Sequence, residues 1–123
     1  RYGAPGLGGA AEAKLRGDNV DLAQVRAAVA GLLDHPQAAQ IDTLVLACTH
    51  FPLLREELGA LFGSGVALID GAHGIARRIA SLTEGQAFAR LEPDLAVTTG
   101  PLDDFRTLTP CLHGYGLERI AKF

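Results

Sequence analysis

No methionine occurs anywhere in the sequence, and the chain opens on arginine. Such a chain is expected to be a fragment, a processed product or the ordered part of something larger. Cysteine is scarce as well. Cys48 and Cys111 are too few for a disulfide framework. One bridge between them stays open, with free thiols the expectation for a cytosolic protein. Long hydrophobic runs are absent: nothing approaches the roughly 18 consecutive apolar residues of a membrane span. No signal peptide opens the chain, so the cytoplasm is the expected compartment. Basic runs that could track phosphates are missing too, and the net charge is −3. With a pI near 5.7, neither nucleic acid nor an anionic membrane is expected as the main partner.

What is present fits a soluble fold. Of 123 residues, 48% are hydrophobic and 20% charged, enough to bury a core. "RYGAPGLGG" (1–9) is rich in Gly and Pro and reads as irregular. "AAEAKLR" (10–16) is built of strong helix formers, and Gly17 stops it. Asp21 is a good N-cap for a second helix with Leu22, Val25, Val29 and Leu32 or Leu33 on one face, ended by His35-Pro36. "TLVLA" (43–47) is a short apolar run without alternation, the pattern of a strand covered on both faces. Pro52 suits the first turn of the next helix, which carries Leu54, Leu58, Leu61 and Phe62 before Gly63. "VALID" (66–70) repeats the strand pattern, "GIARRIASL" (74–82) the helix pattern, and "LAVTTG" (95–100) supplies a third strand. Asp103 or Asp104 can cap a further turn through Phe105 and Leu108, while residues 83–94 read as a surface connection. Alternating strands and helices with short connections predict an α/β fold, a parallel sheet flanked by helices.

Ligands in open parallel sheets bind outside the carboxyl ends of the strands. Three tips are singled out: Cys48-Thr49-His50, Asp70-Gly71 and Thr98-Thr99-Gly100. Cys48 stands between a strand and a helix start, whose free N–H groups and partial positive charge favour a thiolate. His50 is near enough in sequence to exchange a proton with it, and Thr49 adds a hydroxyl. Equally, Cys48 can be a buried small apolar residue, as free cysteines often are. Spacing alone leaves both readings open. A phosphatase-type loop does not fit, because six residues, none of them glycine, separate Cys48 from Arg55. Cys48-x-His50 and Cys111-x-His113 repeat one pairing but lack the spacing of structural zinc ligands, so no metal is expected. "GLGGAA" (6–11) superficially matches a dinucleotide fingerprint, yet too few residues precede it for a strand, and it reads as a loop.

Taken in order, several of these blocks resemble one family. "LACTHFPLL" (46–54) is similar to the second cysteine motif of the glutamate racemases, a cofactor-independent branch of the aspartate/glutamate racemase superfamily. "LIDGAHGIARRI" (68–79) resembles that family's strand, Asp-rich turn and arginine-paired helix. "VTTGPLDDF" (97–105) resembles its C-terminal strand and following turn, without the acidic residue usual directly after the glycine. "AAEAKLRG" (10–17) is similar to the segment leading into the second half of some members.

The resemblance implies the C-terminal half of a glutamate racemase, with a partial two-lobe racemase fold. Residues 1–83 would belong to the second catalytic lobe, and residues 84–123 to a strand and helix that return to the N-terminal lobe, which is missing here. It implies that L- and D-glutamate are interconverted for peptidoglycan by two cysteines, without pyridoxal phosphate, metal or any other cofactor. In that scheme Cys48 removes the α-proton of L-glutamate and reprotonates in the D-to-L direction. Thr49 binds substrate polar groups, His50 assists the proton exchange of the thiol, and Glu12 stands where some relatives carry an acidic assistant. The second cysteine, an Asp-Ser-Gly motif and an Asn-Thr pair belong to the N-terminal half and are not in this sequence. The isolated chain is therefore expected to be inactive and to expose an apolar surface. A homodimer is implied for the full-length protein. Aspartate racemases usually carry an acidic residue where His50 stands, which favours glutamate over aspartate. From another class, the competing reading is a non-catalytic α/β domain that binds a small carboxylate or a protein.

Overall fold

In the computed structural model, which describes residues 1–89 and 91–123, internal contacts divide the chain in two. The first unit holds residues 1–14 and 18–84, the second residues 15–17 and 85–123. Up to Leu82 the elements are α1 (Gly6–Leu15), α2 (Leu22–Ala28), α3 (Ala30–Leu33), β1 (Thr43–Val45), α4 (Arg55–Phe62), β2 (Ala67–Ile69) and α5 (Ala72–Leu82).

β1 and β2 pair in parallel, with Thr43 opposite Ala67, Leu44 opposite Leu68 and Val45 opposite Ile69. Beyond β1, the Leu46 N–H still donates to the Ile69 carbonyl at 2.7 Å. Side chains alternate across a strand, so Leu44 and Leu46 share a face. On that face lies the core: Leu7, Ala11, Val25, Val29, Leu46, Leu54 and Leu58, with Leu44 and Leu68 packed against it. Helices α1, α2 and α4 supply the cover.

Asp21 caps α2 as expected, its Oδ1 accepting the Ala23 N–H at 2.8 Å. The single helix expected over residues 22–33 is instead broken at Val29, where φ is −109° and ψ is 9°, and Ala30–Leu33 resumes as a separate short turn. Val29 is β-branched, a poor helix-interior residue, and its side chain is drawn into the core. After β1, Pro52 opens a 3₁₀ turn over Phe51–Leu54, and the α-helix proper begins only at Arg55.

The N-terminal segment corrects the sequence reading most clearly. Residues 6–9 are not irregular and "GLGGAA" is not a loop, because α1 is helical from Gly6. Leu7 and Ala11, one turn apart, both enter the core. Gly6 lets α1 approach α2 so closely that a Cβ there would lie 3.3 Å from that of Ala28. Tertiary packing outweighs glycine's poor propensity, a cost of about 1 kcal/mol per residue against alanine.

Neither strand of the first unit is covered on both faces. Val45 is 66% and Ile69 50% exposed, since a two-stranded sheet has two faces and the helices cover one. Helix α5 buries no side chain at all. Its apolar residues Ile75, Ile79 and Leu82, one stripe at helical spacing, are 63%, 57% and 61% exposed.

In the second unit β3 (Leu95–Thr98), α6 (Leu102–Arg106), α7 (Thr109–Gly114) and β4 (Arg119–Lys122) follow in order. β3 and β4 are parallel, from Leu95 opposite Arg119 to Thr98 opposite Lys122. The expected single sheet is thus two separate two-stranded sheets, the third predicted strand pairing with β4. Pro101, rather than Asp103 or Asp104, precedes the first turn of α6. Its ring fixes φ near the observed −59° while ψ stays extended at 133°. Both aspartates sit inside the first turn, where their charge complements the helix dipole. Among the described residues no helix is long and apolar enough to cross a membrane.

Candidate active site

Beyond β1 the chain folds into a turn that presents three polar side chains. The Phe51 N–H donates to the Cys48 carbonyl at 3.2 Å, and the Leu53 N–H to the His50 carbonyl at 3.1 Å. Leu54, fully buried, anchors the end of that turn in the core. Cys48 is a half-buried free thiol, neither sealed in the core nor fully open.

Cys48 Sγ lies 3.9 Å from His50 Nδ1, and Thr49 Oγ1 lies 3.5 Å from the same nitrogen. The opposite ring nitrogen, His50 Nε2, is 3.7 Å from Glu12 Oε1 on α1. All four residues singled out from the sequence are therefore neighbours: thiol, imidazole and carboxylate in line, with a hydroxyl beside the ring. An imidazole between a thiol and a carboxylate can pass a proton from one side to the other.

Ion pairs also involve the residues next to these in sequence. Lys14 reaches from α1 to α4, its Nζ 2.8 and 2.9 Å from the two Glu57 oxygens and 3.4 Å from Glu56 Oε2. Burial pulls this ammonium's pKa down, but hydrogen bonds and charge from Glu57 and then Glu56 outweigh it and hold the value above 10.5. Arg55, first residue of α4, donates from Nη1 to the Leu68 carbonyl at 2.7 Å and from Nη2 to Asp70 Oδ2 at 2.5 Å. Asp70 Oδ1 accepts the Ala72 N–H at 2.8 Å, at the start of α5. That backbone donor first, and the Arg55 guanidinium second, hold the Asp70 carboxyl below 3.8.

Of the three predicted strand tips, those of β1 and β2 lie on paired strands, and Asp70 there is engaged by Arg55 and Ala72. Thr98-Thr99-Gly100 belongs to the second unit, where the Gly100 N–H donates to Thr98 Oγ1 at 3.0 Å. Cys111 and His113 lie on α7, also in the second unit, and Cys111 is free. Among the described residues no group of three or more His, Cys, Asp or Glu side chains is placed to hold a metal. A cavity of about 430 Å³, lined by Leu33, Ile41, Asp42, Leu61, Phe62 and Val66 among others, lies at the opposite end of the strands from Cys48. Sequence reasoning did not single out Lys14, Arg55 or Glu57. Arg55 directly follows the cysteine motif and was the one with a local signal.

No protein-family model matches the chain. The chain is 61% identical over 100 residues to the glutamate racemase of Sphingopyxis alaskensis, a match covering 80% of this chain and 37% of that protein. It is 41% identical over 118 residues to the glutamate racemase of Salmonella typhi, covering 91% of this chain and 40% of that one. In fold it is similar to a crystal structure of Escherichia coli glutamate racemase in complex with L-glutamate and the activator UDP-MurNAc-ala. That match has a TM-score of 0.83 and 36% identity, over 94% of this chain and 43% of the other. A glutamate racemase isoform from Bacillus anthracis gives a TM-score of 0.63 at 28% identity, over 83% of this chain and 38% of that one. By sequence and by α/β fold, the chain is thus similar to part of the glutamate racemases, spanning about two fifths of the length of those it matches.

Proposed function

We propose that the protein to which these residues belong is a glutamate racemase, and that this chain is its C-terminal part. One observation carries the reading: Cys48, His50 and Glu12 stand in line at a strand end, in a chain 61% identical to a glutamate racemase. The α-proton of an amino acid is weakly acidic, so the site must hold a thiolate against an oriented substrate. Cys48 takes the α-proton of L-glutamate: the C–H bond breaks, its electron pair stays on carbon, and an S–H bond forms. A second thiol, outside this chain, delivers a proton to the opposite face. His50 then carries the Cys48 proton away, with Glu12 behind it, and Thr49 holds polar groups of the substrate. No cofactor takes part in this scheme.

Residues 1–83 are read as part of one catalytic lobe and residues 84–123 as a segment that packs with the N-terminal lobe. The uncovered apolar faces at Val45 and Ile69 and along α5 support a larger parent protein. By the same resemblance, that protein works in the cytoplasm, supplies D-glutamate for peptidoglycan and forms a homodimer. Replacement of Cys48 by serine in the full-length protein tests the reading. Deuterium incorporation at Cα of L-glutamate in heavy water should fall by at least about 10³-fold; undiminished exchange would sink the role of Cys48.

A further inference from the structure

We propose that Lys14, held by Glu57, is a positioning residue that sets Glu12 against His50, a role that rests on the racemase reading above. Within α1, Leu7 and Ala11 are the buried residues, so the final turn, which carries Glu12 and Lys14, has no fully buried side chain to anchor it. Lys14 supplies that anchor through both oxygens of Glu57, at 2.8 and 2.9 Å. The Lys14 and Glu57 side chains are 32% and 16% exposed, so their attraction is screened less than that of a surface pair.

His50 directly precedes the 3₁₀ turn that runs into α4, and α4 carries Glu57. Glu12 and Lys14 lie together on α1. Among the contacts between the two stretches, two ties bear on His50. One tie, Lys14 to Glu57, is short and two-pronged; the other, Glu12 to His50, is 3.7 Å long. The short tie sets the separation at which the long one works, so Lys14 acts on the thiol through Glu12 and His50 without touching substrate.

The test uses the full-length protein. Lys14→Met is expected to lower kcat about tenfold with KM changed less than about twofold, while Lys14→Arg keeps most of the rate. In a Glu12→Gln background, Lys14→Met should cost less than about twofold more, because both changes break one chain of contacts. A crystal structure of Lys14→Met should place Glu12 more than about 4 Å from His50. If Lys14→Met does not fold, Glu57→Gln, which keeps the volume of that side chain, carries the same comparison. Losses that simply add in the double variant, or a Glu12 that has not moved, overturn the proposal. The crystallographic distance is readable whether or not the protein racemises glutamate. Failure of the unaltered protein to racemise overturns the functional reading, and an unmoved Glu12 overturns the positioning.

Discussion

Asp70 has given up its independence to its neighbours: one oxygen takes the Ala72 N–H and the other the Arg55 guanidinium. Its carboxyl titrates below 3.8 in the folded chain. A carboxylate with a lowered folded pKa stabilises the fold above its unfolded pKa, and the stabilisation is lost as pH falls through the folded value. Asp70→Asn is therefore expected to lower the thermal midpoint at neutral pH. The gap between the two proteins should hold steady down to about pH 5 and narrow below about pH 4. Melting curves across that range check it, and a gap that widens toward acid contradicts the assignment. At this scale, what the sequence disclosed depended on distance along the chain. Cys48, Thr49 and His50 were legible because they are adjacent, and the Asp21 cap because its partner is two residues away. Lys14 and Glu57, 43 residues apart, left no local trace.

Among the elements, α1 shows how packing overrides propensity. Its glycines are not equivalent. A Cβ on Gly9 would meet nothing within 4 Å, whereas one on Gly6 would press on Ala28 at 3.3 Å. Gly9→Ala is expected to stabilise by roughly 0.5–1 kcal/mol. Gly6→Ala should gain less or destabilise, because α1 and α2 must part by a few tenths of an ångström. Denaturant titration of both variants measures the difference; equal gains would mean the two helices do not pack as closely as described. Periodicity located α4, α5 and the strand cores well, since each carries a clear apolar pattern. It missed β4, whose "RIAK" alternates weakly and carries a charge at each end. It missed the break at Val29, where burial in the core outweighs the continuation of the helix.

Across the whole chain, the alternation of strands and helices disclosed the α/β class but not the division of four strands into two parallel pairs. Strand order is set by contacts remote in sequence, which a local pattern does not carry. The apolar runs of β1 and β2 were read as covered on both faces, and each leaves one side open here. The helices that pack on this two-stranded sheet cover one of its faces, so a run apolar throughout need not be buried throughout. Helix α5 has a practical consequence. It contains Arg77-Arg78 and no buried side chain, so it can open locally at little cost. Brief trypsin digestion followed by mass spectrometry should cut the isolated chain there quickly and the longer protein far more slowly. Equal cleavage rates would show that nothing else covers this helix. The dibasic pair lets a protease report whether α5 is covered, without substrate, label or activity assay.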